Sequence, residues 1–446
     1  MRSLAILALA LCASLAAVGQ SDASSVTSPW TLRAALTEAR DHSPEAAIAA
    51  ARLDRAQAMV DQSGAASLPQ VTLSAGYTQT NNPMMAFGSI LNQGAFTPAI
   101  DFNAPGQVDN LNLTGMVAYS LYSGGRTAST QAAARAGATA SAHDRDATFA
   151  RLDAAVATAY FNIRQAREAI AALDAAIATY EESLRIARLR FEAGELLKSE
   201  LLNLEVRLAQ TREQHLAARQ QATLAERHFL YLLGHPPLAG QPVALATDDP
   251  AVTALSAPAA TSTASIEQRP ELHALASRRE AAAASLDAAA SGRRPSVNAF
   301  ASYQFDKGWR LDGDGDSWMA GLQAQWSVFD GKATTGKIRA ARADLTETEA
   351  AQRQLELGLQ LELEQARLAH RFATEQLDVT ATLVTQAEEA ARISRERFEA
   401  GALLSTELIG AETRLTEARV RRAVATAAER IAAVQLRRAA GLPILP

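Results

Sequence analysis

The chain has 446 residues, 48% of them hydrophobic but only 5% aromatic, and alanine, the strongest helix former, is its commonest residue. Its formal charge of −5, from 43 Lys and Arg against 48 Asp and Glu, leaves no basic surplus to neutralise a phosphate backbone and argues against nucleic-acid binding. A single cysteine, Cys12, excludes intrachain disulfides and thiolate-based zinc sites.

Residues 1–20 carry one basic residue, Arg2, an apolar run from Leu4 to Leu11 that extends to Ala16–Val18, and small residues before Gln20. This is the pattern of a secretory signal peptide; the run is shorter than the roughly 20 residues of a membrane-spanning helix. Cys12 follows Leu9-Ala10-Leu11 rather than the small residue a lipoprotein signal needs, so the mature chain is expected to lack cysteine.

The remainder of the chain is a duplication. Arg190-Phe191-Glu192-Ala193-Gly194 recurs as Arg397-Phe398-Glu399-Ala400-Gly401, about 207 positions on, and at the same offset Glu200 matches Glu407, Glu205 matches Glu412, and Gly234-His235-Pro236 matches Gly441-Leu442-Pro443. Upstream, at an offset of about 226, Ser43-Pro44-Glu45 matches Arg269-Pro270-Glu271, and Pro69, Val71 and Tyr77 match Pro295, Val297 and Tyr303. The first repeat is taken as 21–237, the second as 266–446, and 238–265 as a connector without a clear period.

Each repeat reads helix, strand, loop, strand, very long helix, sharp break, long helix. A helix of the first repeat is expected to run from Pro29, interrupted near Pro44, to about Ala66; its counterpart starts at Pro270, a favoured first-turn residue, and runs to about Ser291. Strands are expected at about 69–80 and 110–122, then 296–306 and 317–329, where the period changes from 3.6 to 2. Val71, Leu73, Ala75 and Tyr77 alternate with Thr and Ser; Leu111, Leu113, Val117, Tyr119 and Leu121 alternate with Asn112, Thr114 and Ser120. In the second repeat Val297 to Phe305 and Trp318 to Val328 do the same.

Helical hairpins are expected over about 126–233 and 333–440. Leu152, Val156, Ala159, Ile163, Ala166, Ile170, Leu173, Ile177, Tyr180, Leu184, Ala187 and Phe191 are spaced alternately by four and three, an unbroken heptad seam. The seam breaks at Gly194 and resumes at Leu197; the second repeat carries its own from Leu359 to Phe398, broken at Gly401. Strands of about ten residues with Tyr and Trp toward their ends have the length and girdle of an outer-membrane barrel. A spanning sheet has to close on itself, and four strands are too few when the smallest such barrels have about eight. The barrel therefore has to be shared among copies, preferably three or more.

In this order and in duplicate, the hairpin tips, Gln268-Arg269-Pro270-Glu271-Leu272, the strand entries Leu68-Pro69 and Arg294-Pro295, and the exits Tyr119 to Gly125 and Trp326 to Gly331 resemble the TolC-like family of outer membrane efflux channels. The resemblance implies a mainly α fold with a small membrane β-barrel. Duplicated units of long antiparallel coiled-coil hairpins with two strands each would assemble as a homotrimer, with a twelve-stranded β-barrel above an α-barrel. It implies an outer membrane protein of a Gram-negative bacterium, set in outer membrane lipid and extending into the periplasm. There it would export drugs, toxic compounds or metal ions received from a periplasmic adaptor and a proton-driven or ABC inner membrane pump.

The same resemblance assigns Glu407 and Glu200 to an acidic ring at the periplasmic entrance. Ala193, Gly194, Glu195, Ala400, Gly401 and Ala402 become adaptor-contacting tips, and Phe191 and Phe398 closed-state packing residues. The entrance departs from the family pattern: Gly410 and Asn203 stand where a second acid is expected, Phe398 lacks the aromatic hydroxyl, and Leu403 replaces a basic residue. Elsewhere Asp312, Asp314 and Asp316 open like a calcium loop, but Ser317 and Gln323 replace its Gly and Glu, so an acidic surface loop is the reading taken. Met84-Met85 is slight evidence for soft-metal handling, and the seven His show no zinc-protease spacing. No cofactor, metal or enzymatic constellation is expected. Two other readings stay open: an outer membrane component of type I protein secretion, and, from another class, a trimeric coiled-coil adhesin.

Overall fold

The structure is a computed structural model that describes residues 29–101, 103–236, 243–255 and 265–445. The signal-like segment with Cys12 and parts of the connector lie outside the described residues. The two repeats build one elongated wall of helices and one sheet. Helices α1 (Leu32–His42) and α2 (Pro44–Ala65) lead to β1 (Gln70–Thr80), α3 (Pro83–Asn92) and β2 (Val108–Tyr122). The first hairpin is α4 (Arg126–Glu192) and α5 (Lys198–Leu232). After α6 (Pro250–Leu255) the order repeats as α7 (Pro270–Ala290), β3 (Ser296–Gly308), β4 (Gly313–Gln325), α8 (Ala333–Glu399) and α9 (Ser405–Ala439).

Helices α4 and α8 have 67 residues each, which at 1.5 Å per residue is about 100 Å. Their partners α5 and α9 have 35 residues each and cover only the half nearer the tips. The other half is covered by α2 and α7, which pack on α4, with α7 also on α8. The short helices meet end to end through the Gly-x-Pro turns. Gly234 has φ 83°, and a Cβ there would overlap the carbonyl of His42, the last residue of α1, just before α2. Gly441 has φ 70°, and a Cβ there would come within 2.8 Å of the Gln268 backbone before α7. The wall therefore consists of four columns, two continuous (α4, α8) and two composite (α5 with α2, α9 with α7).

At the level of these joints Leu152, Val156, Tyr160, Phe161 and Ile163 of α4 pack with Leu32, Phe229, Val252, Val434 and Ile444. The described part of the connector, residues 243–255, makes contacts that its lack of period does not predict. Trp30 forms a parallel bridge with Leu245, and Asp249 accepts from the Leu32 backbone N–H at 2.6 Å and from the Tyr160 hydroxyl at 3.3 Å. That carboxylate caps α1 and ties the connector to α4; with burial, it pushes the Tyr160 phenol up to about 12.

The strands form one antiparallel sheet in the order β1-β2-β3-β4. Three features depart from the alternation read in the sequence. A register shift between Ser120 and Tyr122 makes Leu121 an extra residue, and Tyr122 instead of Leu121 stands opposite Val297. Strand β4 begins at Gly313 rather than near 317 and ends at Gln325, so Asp314 and Asp316 are strand residues paired with Lys307 and Phe305, and Trp326 and Val328 follow the strand. Only Asp312, at φ 49°, occupies the turn of the supposed acidic loop. The loop after β1 contains α3, started by Asn82, whose side chain accepts from Met84 and Met85 N–H groups, and by Pro83 at the first turn. The end of α3 packs on one face of the sheet, with the Asn92 carbonyl against Gly315 and the Gln93 carbonyl against Gly313.

Candidate functional site

The register aligns the alternating rows of all four strands. On one face lie Val71, Leu73 and Ala75, then Leu113 and Val117, Ala299 and Ala301, and Ala320 and Leu322. Tyr303 and Trp318 sit directly opposite each other toward one end of this face, and Tyr119, Tyr122 and Trp326 gather at the other. The other face carries Thr72, Ser74, Asn112, Thr114, Asn298, Ser302, Gln304 and Gln323. There Asp306 accepts from Asn110 at 2.6 Å and from Asn112 at 3.0 Å, a polar ladder that lipid would not tolerate. The apolar face is bare: Leu73 is 84% exposed and Leu322 72%. Among the described residues the outer edges of β1 and β4 have no strand partner. Among the described residues no helix is long and apolar enough to cross a membrane.

At the far end of the helices the two tips have one backbone design. Gly194 and Gly401 take φ 78° and 76°. Glu195 N–H reaches back to the Arg190 carbonyl at 2.8 Å, and Ala402 N–H to the Arg397 carbonyl at 2.8 Å. This is the double closure of a glycine-terminated helix. It leaves Ala193, Gly194, Glu195, Ala400, Gly401 and Ala402 exposed on a blunt turn.

The side chains break the symmetry. Phe398 is 1% exposed and packs with Tyr180, Leu184, Ala187, Leu204, Leu208 and Leu408, whereas Phe191, its counterpart, is 39% exposed. Arg190 donates to the Phe398 carbonyl at 3.0 Å and lies over its ring at 5.8 Å, closing the seam between the two hairpins. Glu200 is part of that seam: its carboxylate accepts from the N–H of Ser405 at 2.7 Å and from its hydroxyl at 2.5 Å. It thus satisfies orphan donors at the start of α9, where the helix dipole favours an anion. Glu407 is exposed. The two acids assigned to one ring therefore have different surroundings, and Ser405, which separates them, carried no signal in the sequence beyond its place after a leucine.

One turn further, Arg188 pairs with Glu205 at 3.0 Å and Arg395 with the equivalent Glu412 at 2.9 Å. The Glu205 side chain is 40% exposed and that of Glu412 only 3%. Burial raises the Glu412 carboxyl above its ordinary range, against the pull of Arg395 and Arg419. A raised carboxyl contributes stability that is present at low pH and is lost as pH rises through the folded value. Glu412→Gln is accordingly expected to melt higher than the parent at neutral pH, with the gap closing in acid, as read by circular dichroism. A lower melting temperature at neutral pH would show that the ion pair outweighs burial.

Among the described residues no group of His, Cys, Asp and Glu could hold a metal ion. The cavities that do occur are open clefts between helices, such as those along α4 and α7, without a convergent set of nucleophile and base.

The chain is similar in fold to several outer-membrane channels of known structure. One is the channel OprN, at 21% identity and a TM-score of 0.75 over 93% of this chain and 91% of that one. A second is CusC, described as undergoing folding and transmembrane channel formation, at 16% identity and a TM-score of 0.80 over 93% and 92%. A third is the outer membrane protein VceC of Vibrio cholerae, at 20% identity and a TM-score of 0.75 over 93% and 96%. No protein of curated function matches the sequence. The sequence model of the outer membrane efflux protein family matches residues 35–235 and 262–442, one stretch in each repeat, and on that match the chain belongs to the outer membrane efflux protein family.

Proposed function

We propose that three copies of this chain join the free edges of β1 and β4 into a twelve-stranded barrel in the outer membrane of a Gram-negative bacterium. The helical walls would continue it as a tunnel through the periplasm. The observation that carries this reading is the sheet: one face apolar from the Tyr119 row to the Tyr303–Trp318 pair, with Lys307, Asp314 and Asp316 confined to its hairpin end, one polar face, and two edges that have no strand partner among the described residues. Closing it into a barrel would put the apolar face on lipid and the polar face on water. The exported cargo is a small molecule, a drug, toxic compound or metal ion, that passes without covalent chemistry. It is handed over by a periplasmic adaptor seated on the blunt tips at Gly194 and Gly401 and energised by an inner membrane pump. Purified protein is expected to give stepwise conductance in planar bilayers; a heat-resistant trimer without pores would instead favour an adhesin.

Glu407 is the entrance acid in this reading, exposed at the start of α9. Three copies near one axis would favour cations and bind multivalent ones. Glu407→Ala is expected to lower the cation-to-anion permeability ratio and weaken block by multivalent cations in single-channel recordings. An unchanged ratio and unchanged block would remove Glu407 from the conduction path.

A further inference from the structure

The two ends of the sheet carry opposite charge. At the hairpin end, residues 80–111 and 304–317 hold Asp101, Asp109, Asp306, Asp312, Asp314 and Asp316 against only Lys307 and Arg310. At the other end β1 and β3 are entered from helices, and β2 and β4 lead into them. There residues 66–69, 122–143, 291–296 and 325–343 hold eight arginines and lysines and a single acid, Asp330. In a chain of formal charge −5 that end is a basic island. Its acid is already engaged, since the Asp330 carboxylate accepts from the Thr334 N–H at 2.7 Å at the start of α8. Arg126, Arg293, Lys332, Lys337 and Arg339 are exposed and form no ion pair among the described residues. The turns bring the first three to one level. Arg294 donates to the carbonyl of Gly124, two residues before Arg126, at 3.1 Å, and a Cβ on Gly292 would meet Thr334, two residues after Lys332, at 3.1 Å.

The same level carries the aromatic residues at this end of the apolar face. The Trp326 indole N–H donates to the Arg293 carbonyl at 3.1 Å, which places Arg293 at the rim of that face. Just before Lys332, Val328 is 80% exposed and Phe329 82%. Aromatic rings, bare apolar side chains and unpaired cations in succession suit the boundary between acyl chains and headgroups. In the barrel proposed above, on which this inference rests, we infer that the rim binds anionic phospholipids of the periplasmic leaflet. Their phosphodiesters lie on Arg126, Arg293, Lys332 and Lys337, and their acyl chains on Trp326, Val328 and Phe329. The lipid is one whose phosphate has no ammonium group of its own, such as a phosphatidylglycerol, because a zwitterionic headgroup offers the cations no net charge. The cations are spread along an open rim, so a single soluble phosphate meets few of them, whereas a leaflet supplies many phosphates at once. Three copies repeat the rim around the barrel and hold it at one depth in the membrane.

The test uses the full chain, reconstituted in vesicles of phosphatidylethanolamine with a minor share of phosphatidylglycerol and then extracted in mild detergent. Lipid retained on the protein is counted by native mass spectrometry. Phosphatidylglycerol is expected to be enriched several-fold over its share of the vesicle, and the enrichment to vanish at high salt and in Arg293→Gln with Lys332→Gln. Arg219→Gln with Arg353→Gln, which neutralises two exposed arginines on α5 and α8 remote from the sheet, should keep it. No enrichment in the parent, or full enrichment in the rim variant, overturns the lipid site if the sample runs as a trimer on an unheated gel; a sample that is not trimeric there overturns the barrel as well. Glycerol 3-phosphate is expected not to compete. Displacement of the lipid by it would make the rim a site for free phosphate esters and overturn the assignment. A lower anion permeability of the rim variant in bilayers, with its lipid unchanged, would put the cations in the bore and overturn it too.

Discussion

Val117→Arg is expected to remove the trimer from the outer membrane, while Met116→Arg, one residue away, leaves it. Val117 lies on the apolar face in the row Val71, Val117, Ala301 and Ala320, midway between the aromatic residues at the two ends. An arginine facing lipid at that depth costs about 2–4 kcal/mol per copy, and a trimer incurs the cost three times. Met116 stands opposite Thr72 and Ser302 on the polar face, where a guanidinium would stay in water. The measurement is the trimer recovered in outer membranes on an unheated gel. Equal recovery for the two variants, or loss of Met116→Arg alone, would reverse the assignment of the faces and with it the barrel.

A methyl group at the joint of a composite column is expected to be nearly as damaging. Gly234→Ala combines a left-handed residue, about 1–2 kcal/mol, with an overlap against the backbone of His42 and Ser43 that no rotamer relieves. Gly331→Ala is the control, since Gly331 has φ 65° but open space around its missing Cβ. The control should cost only the conformational term, a melting shift of a few degrees, whereas Gly234→Ala should lose folded trimer outright or melt far lower. Similar melting temperatures would mean that α2 does not need to sit on the end of α5.

The long helices were legible because their seam is uninterrupted over many turns and their ends are marked by repeated glycines; Leu152, Val156, Ile163, Tyr180 and Leu184 are buried as seam residues should be. Strand ends were less legible. Alternation at Trp326 and Val328 continues past the last sheet partner, and an extra residue such as Leu121 leaves the pattern of types intact while shifting every face after it. Helix α3 was missed although Asn82-Pro83 is a plain start signal, because ten residues inside a loop offer too little periodicity to read. At the tips the repeat brought out Glu200 and Glu407 as equivalents. Their different surroundings come from Ser405 standing where the first repeat has Lys198, a difference that matters only once α9 is placed beside α5.

The side of the sheet on which α3 lies decides one property of the proposed pore that strand number does not. Its end rests on Gly313 and Gly315, which belong to the polar face, and Gln93 is held there by the Asp109 carbonyl at 2.7 Å and Asn110 at 2.9 Å. Rolling the sheet up with its apolar face outward turns that helix inward. The bore at the outer mouth is then set by what three inserts leave free, and the insert carries Met84 and Met85 on its exposed surface. In the proposed barrel these inserts would narrow a mouth that is wide enough by strand count, which would make the exit, like the entrance, a place where cargo meets the protein.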